Sequence, residues 1–247
     1  MVHGLGVNGR VASVLLLTGS ILGLIGTLLH PYDGVEREES IRGLLEVSAA
    51  THYWTPLHIV LVLGVGLVVA GLVVFRGSFS DPAAVAYGRA GVVFVIMGGI
   101  MLITGFGVLD GYAIHALATE WQSASGEDQA RILVAAEAVA AIEFGVLWVG
   151  PVLLGIGVGA FGLAMLASRI VSVWVGWAGL IVGLITFVIG LVLAVLGPTT
   201  LTMDILFRAF GVILTIYTIA LGIALHRLAR GSDAVGVAAA PDSALPR

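Results

Sequence analysis

The sequence predicts an all-α protein, namely one polytopic bundle of about six transmembrane helices with short interfacial helices at its outer surface. Of the 247 residues, 59% are hydrophobic and only 11% are charged, whereas soluble domains carry about 25% charged residues. The mean hydropathy of +1.12 also indicates a membrane protein. The apolar residues form continuous runs rather than alternating ones, which favours transmembrane helices over a β-barrel.

Six apolar runs approach the roughly 20 residues that a helix needs to cross a bilayer core of about 30 Å. They cover residues 11–29, 56–75, 90–109, 143–167, 170–196 and 205–225. The first run follows Arg10, but it is longer than a usual signal-peptide core and no cleavage motif follows it, so we expect it to be retained. The fourth helix is predicted to begin earlier, near Asp128, and to project beyond the lipid.

The distribution of arginine predicts the orientation of the bundle. The alternating connections place Arg10, Arg76, Arg89, Arg169, Arg227, Arg230 and Arg247 on one side, and Arg37, Arg42, Arg131 and Arg208 on the other. Because cytoplasmic loops are enriched in basic residues, the first side is expected to be inside. This predicts a cell-membrane protein with both termini in the cytoplasm. Residues 1–230 form a single transmembrane domain, and the composition of residues 231–247 predicts a disordered tail.

Two segments on the outer side show helical amphipathic spacing. In residues 35–50 the apolar residues fall near one helical face, and in residues 112–122 they recur at intervals of three and four. Both are expected to form short helices at the membrane surface. The aromatic residues nearby are predicted to belong to the interfacial belt. They are Tyr53, Trp54, Tyr112 and Trp121.

The composition excludes several kinds of chemistry. There is no cysteine, which excludes disulfides, iron–sulfur clusters, covalently attached haem and thiol nucleophiles. All eleven basic residues are arginine, so Schiff-base chemistry on lysine is excluded as well. The sequence has no basic patch of the kind that would indicate nucleic-acid binding. The expected partners are the lipid bilayer and a small or lipid-like ligand, since no extramembrane domain is predicted that could hold a large one.

Five ionisable residues lie near the outer ends of the predicted helices. His30 ends the first, His58 is one turn into the second, Asp110 ends the third, Glu143 is inside the fourth, and Arg208 is one turn into the sixth. A charge at the bilayer centre costs about 2.5–3.5 kcal/mol, so such residues usually face the bundle interior and find a partner there. We therefore expect them to converge in one pocket, about one turn below the outer surface.

Imidazole and carboxylate groups together are a normal ligand set for zinc, iron or manganese. The pattern predicts a divalent metal ion with His30 and His58 as ligands. Asp110 and Glu143 are expected to serve as ligands or general bases, and Arg208 to orient an anion. Whether such a site catalyses a reaction is left open by the sequence.

Other interpretations of the same residues remain. His30 and His58 could ligate a non-covalent b-type haem as an imidazole pair, with Arg208 meeting a propionate. Glu143 could be a proton relay in a proton-coupled transporter. The chain could also be an accessory subunit of a membrane complex. The simplest alternative is a purely structural cluster of histidines and carboxylates that bond to one another or to Arg208.

Four short motifs resemble a family of six-helix bacterial and archaeal integral membrane proteins. They are Leu29-His30-Pro31, Leu109-Asp110-Gly111, Ala141-Ile142-Glu143-Phe144 and Trp174-Val175-Gly176-Trp177. The likeness covers most of the chain. It implies the six-helix topology, but that family has no assigned activity, so the resemblance implies no chemistry and no catalytic residue.

Overall fold

The computed structural model describes residues 6–31, 37–197 and 205–238, which are almost entirely helical and contain no strand. The helices are α1 (Gly6–Leu29), α2 (Arg37–Ala50), α3 (Trp54–Arg76), α4 (Pro82–Ile103), a π-helical segment (Thr104–Ile114), α5 (His115–Ser123), α6 (Gly126–Ser168), α7 (Val173–Leu196) and α8 (Arg208–Ala238). The prediction of an all-α bundle is therefore confirmed.

Six helices are long and apolar enough to cross a membrane. They are Val7–Leu29, Trp54–Arg76, Pro82–Ser123, Gly126–Ser168, Val173–Leu196 and Ile205–Gly231. This agrees with the six predicted spans. The fourth, α6, has 43 residues, so at 1.5 Å per residue it is about 65 Å long and cannot lie wholly within a bilayer core of about 30 Å. Its start at Gly126 also agrees with the predicted projection.

The third span differs from its prediction. The sequence placed its end at residue 109 and a separate surface helix at residues 112–122. In the structure, α4, the π-helical segment and α5 form one continuous span, Pro82–Ser123. The wider turns of a π-helix accommodate extra residues without ending the helix. Asp110 therefore lies inside a continuous helix, within its π-helical part, rather than at a helix end.

A small second core covers the outer end of the bundle. It joins α2, the end of the π-helical segment, α5 and the projecting part of α6 through Ile41, Leu45, Ile114, Ala118, Ala136 and Ala140. On α2, Arg42 and Glu46 point away from this core and are exposed. The predicted helix within residues 35–50 is thus present. Its apolar face packs on the bundle as a cap.

Glycines allow the long helices to approach closely. A Cβ at Gly19 of α1 would lie 2.7 Å from the carbonyl oxygen of Gly64 on α3, and a Cβ at Gly155 of α6 would lie 2.7 Å from that of Gly183 on α7. Small residues at helix crossings supply the van der Waals contact that holds helices together in lipid. These contacts hold α1 close to α3 and α6 close to α7.

The end of the bundle opposite the cap is built around an aromatic group. Phe75, in the last turn of α3, and Phe79, just after α3, each pack on Phe161 of α6, with ring centroids 6.3 Å apart.

The C-terminal helix α8 continues to Ala238. The predicted start of the tail, at residue 231, therefore falls within a helix. Residues 239–247 lie outside the described residues.

Candidate metal centre

Three of the predicted residues meet at the capped end of the bundle. His30 immediately follows α1, His58 lies in the second turn of α3, and Asp110 belongs to the π-helical segment. The Nε2 atoms of the two histidines are 3.3 Å apart. The Oδ2 atom of Asp110 is 2.9 Å from the Nε2 of His58 and 3.6 Å from the Nε2 of His30. The first three spans therefore contribute one side chain each to a single point.

The cluster is almost completely shielded from solvent. His58 is 1% exposed and Asp110 6% exposed, and the side chain of His30 is 10% exposed. The rings of Trp54 and His58 pack with centroids 4.9 Å apart, and those of Trp54 and His30 with centroids 5.4 Å apart. In such surroundings an uncompensated charge is costly, so the polar atoms of the cluster must satisfy one another or a bound ion.

Backbone carbonyls determine which nitrogen of each ring faces the cluster. The Nδ1 of His58 lies 2.8 Å from the carbonyl oxygen of Trp54, and the Nδ1 of His30 lies 3.1 Å from that of Pro31. A carbonyl oxygen only accepts hydrogen bonds, so each Nδ1 donates its proton there. In the neutral form of both rings the Nε2 lone pairs then point at each other and at the Asp110 carboxylate.

This arrangement requires a cation. Two nitrogen lone pairs and one carboxylate oxygen lie within 3.6 Å of one another, and three acceptors repel one another unless a proton or a metal ion lies among them. A proton can satisfy the cluster by converting one imidazole into an imidazolium. A metal ion can satisfy all three donor atoms at once, and the outward bonds from Nδ1 to carbonyls are the usual outer-shell partners of metal-binding histidines.

The donor spacing fits the dimensions of a small divalent ion. With bonds of about 2.0–2.1 Å, tetrahedral angles place two ligand atoms about 3.3 Å apart. The three observed separations of 3.3, 2.9 and 3.6 Å lie around that value. All the candidate ligand atoms of the group lie within 4.8 Å of one another. Two histidines and one carboxylate leave at least one coordination position for water or a substrate.

The same distances do not fit a haem held between the two histidines. Axial imidazoles on opposite faces of a haem place their nitrogens about 4 Å apart, from two bonds of about 2 Å each, with the porphyrin between them. Here the nitrogens are 3.3 Å apart, and the Oδ2 of Asp110 lies 2.9 Å from the Nε2 of His58. The observed distances therefore favour a metal ion held by all three residues.

The backbone around Asp110 is held by α3. The indole N–H of Trp54 donates to the carbonyl oxygen of Asp110 at 3.0 Å, and the hydroxyl of Thr55 donates to that of Gly111 at 3.2 Å. Gly111 also permits close approach, because a Cβ there would lie 2.6 Å from the Cβ of His58. These contacts fix the π-helical segment against the first turns of α3, where His58 lies.

Glu143 is buried near the cluster without joining it. It is 4% exposed, on α6, and its carboxylate interacts electrostatically with that of Asp110. The structure does not place it in the group formed by the other three residues. Among the described residues, neither Oε2 of Glu143 nor Oδ1 of Asp110 has a hydrogen-bond partner. The predicted ligand or base role of Glu143 stays a prediction.

Arg208 is the fifth predicted residue, and it lies at the start of α8. It is half-buried and lines a partly open cavity beside Phe207. The ring of Phe207 packs on Phe106 of the π-helical segment with centroids 6.0 Å apart. Arg208 is therefore placed beneath the cluster rather than within the group of ligands. Its role in orienting an anion stays a prediction.

Sequence reasoning missed two residues that shape the site. Trp54 was assigned to the interfacial belt, but it is fully buried and bonded to Asp110, so that prediction is wrong for this residue. Its position four residues before His58 places it on the same helical face, and that spacing could have indicated a shared environment. For Gly111, the only indication in the sequence was its position next to Asp110, and nothing there predicted the close contact with His58.

No family model, curated protein or solved structure matches the chain. The resemblance to a six-helix membrane family therefore stays an expectation, and the chemistry must be argued from the site alone.

Proposed function

We propose that this integral membrane protein binds one divalent transition-metal ion through His30, His58 and Asp110, with a coordination position left open. The observation that carries the proposal is the convergence of three electron-pair donors, with both Nδ1 atoms turned outward to backbone carbonyls. An ion at the centre neutralises the carboxylate and removes the repulsion among the donors. Zinc, iron and manganese all suit two imidazoles and one carboxylate.

The site opens towards the extracytoplasmic side in this proposal, because the arginine-rich ends lie opposite it. Glu143 is the proposed general base, since it is a buried carboxylate within electrostatic range of Asp110. Arg208 is the proposed anion-orienting group. The ligand is small or lipid-like and arrives from the bilayer or the outer surface.

The distribution of buried polar groups supports a one-sided site over a transport pathway. Among the described residues, the buried histidines and carboxylates are His58, Asp110 and Glu143. All three lie in the half of the bundle beneath the cap. A proton pathway needs polar groups on both sides of the membrane, so these residues favour a centre that works from one face.

Metal analysis of the purified protein tests the proposal. We expect close to one equivalent of metal after reconstitution of the wild type, and a loss of at least about tenfold in metal affinity for His30→Ala, His58→Ala and Asp110→Asn. His52→Ala is the matched control, because His52 belongs to the same capped end but is exposed. It should retain the metal.

Stoichiometric metal that survives both His30→Ala and His58→Ala would contradict the assignment, as would a wild-type protein that takes up no metal. Size-exclusion profiles and circular dichroism must show that the variants remain folded. A visible spectrum of the same samples separates the alternatives, because a Soret band would point to haem.

A further inference from the structure

A partly open cavity of about 110 Å³ lies between the helices of the bundle. Its wall is formed by α1, α3, α4, the π-helical segment, α6 and α8. Three lining residues locate it relative to the cluster. Thr27 precedes His30 by three residues, Leu61 follows His58 by three, and Phe106 precedes Asp110 by four. One helical turn is 3.6 residues, so the cavity begins one turn beneath the three donors and extends into the membrane part of the bundle.

The wall of this cavity is mostly apolar. Most of the lining side chains are aliphatic, aromatic or glycine, and the polar ones are Ser20, Thr27, Arg208, Thr215 and Thr218. Three of the four hydroxyl groups are bonded within the protein. Ser20 and Thr218 bond to each other at 2.7 Å, and the hydroxyl of Thr27 donates to the carbonyl of Gly23 at 2.9 Å. Water needs two to four polar partners to be stable in a cavity. A cavity of this kind therefore favours a hydrocarbon over water.

The size of the cavity is that of a short hydrocarbon segment. An apolar protein cavity of about 150 Å³ is known to stay dry and to bind benzene, so 110 Å³ suits a chain segment of at most about six carbons. Gly23 and Gly211 provide part of the space, since a Cβ at either position would meet no atom within 4 Å. Both residues line the cavity.

We infer that the cavity binds an unbranched alkyl chain of a lipid-class ligand whose polar head coordinates the metal. This inference rests on the proposed metal site, because the bound metal ion would position the head. A ligand of this shape would place its first carbon beside His30, His58 and Asp110 and the following methylenes between Leu61 and Phe106. It would enter from the bilayer, where such chains are abundant.

A series of alkyl hydroxamates tests the inference on the cobalt-loaded protein. The hydroxamate head chelates metal ions, so acetohydroxamate measures access to the metal alone, while longer members add the chain. We expect the affinity, followed by the visible spectrum of cobalt, to rise by up to about fourfold per methylene and to level off near six carbons.

The cavity is blocked by Gly211→Leu and, independently, by Gly23→Val, so that one variant suffices if the other does not fold. Each should lose at least about tenfold in affinity for hexanohydroxamate and keep the wild-type affinity for acetohydroxamate. Gly145→Leu is the matched control. Gly145 is exposed on α6, has no atom within 4 Å of an added Cβ and does not line the cavity.

The outcomes separate the two proposals. If the wild type and both blocking variants show the same dependence on chain length, the alkyl site is overturned while the metal site stands. The same holds if affinity does not rise with chain length in the wild type. If the wild type binds neither cobalt nor acetohydroxamate, the metal site fails and the alkyl site falls with it.

Discussion

The tautomer of each imidazole is determined by a backbone carbonyl on the side of the ring away from the cluster. Each Nδ1 is committed to a backbone carbonyl, that of Trp54 for His58 and that of Pro31 for His30. Both carbonyls belong to residues close in sequence to the histidine, so the tautomer follows from local backbone geometry. Such preorganisation means that the Nε2 atoms need not rotate to receive an ion.

Trp54→Phe is expected to weaken the centre without altering any ligand. The change removes the indole N–H that donates to the carbonyl of Asp110 at 3.0 Å and leaves a buried acceptor without that donor. We expect a loss of about 1–3 kcal/mol in stability and of about 10–100-fold in metal affinity, measured by thermal unfolding and metal titration. Trp174→Phe is the control, because Trp174 is 78% exposed. Equal behaviour of the two variants would contradict the role assigned to Trp54.

Gly111→Ala tests the close contact between the π-helical segment and α3. An added Cβ would lie 2.6 Å from the Cβ of His58 and 2.7 Å from the carbonyl oxygen of Phe106, so His58 must move. Overpacking of this kind costs about 1–3 kcal/mol, and the displaced imidazole should bind metal at least about tenfold more weakly.

The control for this change is Gly66→Ala, on α3, where an added Cβ meets no atom within 4 Å. Alanine is the better helix former by up to about 1 kcal/mol, so this variant should be as stable as the wild type or more stable. If Gly111→Ala were equally harmless in metal titration and thermal unfolding, the contact with His58 would not position the ligand.

At the scale of the elements, the π-helical segment decides where Asp110 points. Eleven residues, Thr104–Ile114, connect α4 to α5 without a break. π-Helical turns are rare and occur frequently at functional sites. Two successive carbonyls of this segment accept bonds from Trp54 and Thr55 of α3. The irregular geometry is thus held by side chains of the neighbouring span, next to the residue that supplies the carboxylate.

Deletion of Val108 is expected to remove Asp110 from the cluster while the helix persists. One residue fewer rotates Asp110 by about 100° relative to α4, and Val108 is 56% exposed, so the loss of its own side chain costs little packing. Metal affinity should fall at least about tenfold, with the helical circular dichroism signal retained. Val108→Ala controls for the side chain and should bind metal normally. A deletion variant with wild-type affinity would show that the segment does not aim the carboxylate.

For the whole molecule, the bundle has distinct ends. The cap, the cluster and the start of α8 lie at one end, and the aromatic group of α3 and α6 lies at the other. The glycine contacts between α1 and α3 and between α6 and α7 keep the helices close along their length. This separation predicts that the proposed metal centre is accessible from one compartment only.

The side of the membrane on which the cluster lies can be identified by cysteine labelling, because the sequence contains no cysteine of its own. Ser125, which precedes α6, and Ser80, between α3 and α4, are both exposed and lie at opposite ends of the bundle. The arginine distribution predicts that a membrane-impermeant maleimide labels Ser125→Cys in intact cells and labels Ser80→Cys only after permeabilisation. The reverse pattern would place the centre on the cytoplasmic side.

The sequence alone determined the six spans and the end of the bundle at which the ionisable residues collect. Both depend on local properties, because span length follows from the run of apolar residues and a charged group is tolerated best near a helix end. The helix of residues 35–50 followed in the same way from its amphipathic spacing. His30 and His58 were recognisable as a pair because a short connection makes adjacent spans antiparallel and puts these residues at similar depth.

Only the tertiary structure decided which of five candidates share one point. The side chains converge only if each helix is rotated suitably about its own axis. A helix end can be predicted from the sequence, but this rotation cannot. The π-helical segment turned Asp110 towards the histidines, Trp54 became a buried support instead of an interfacial anchor, and Glu143 and Arg208 came to lie beside and beneath the cluster. The physical reason is that hydropathy governs where a residue lies along the membrane normal, whereas packing between helices governs the direction in which its side chain points.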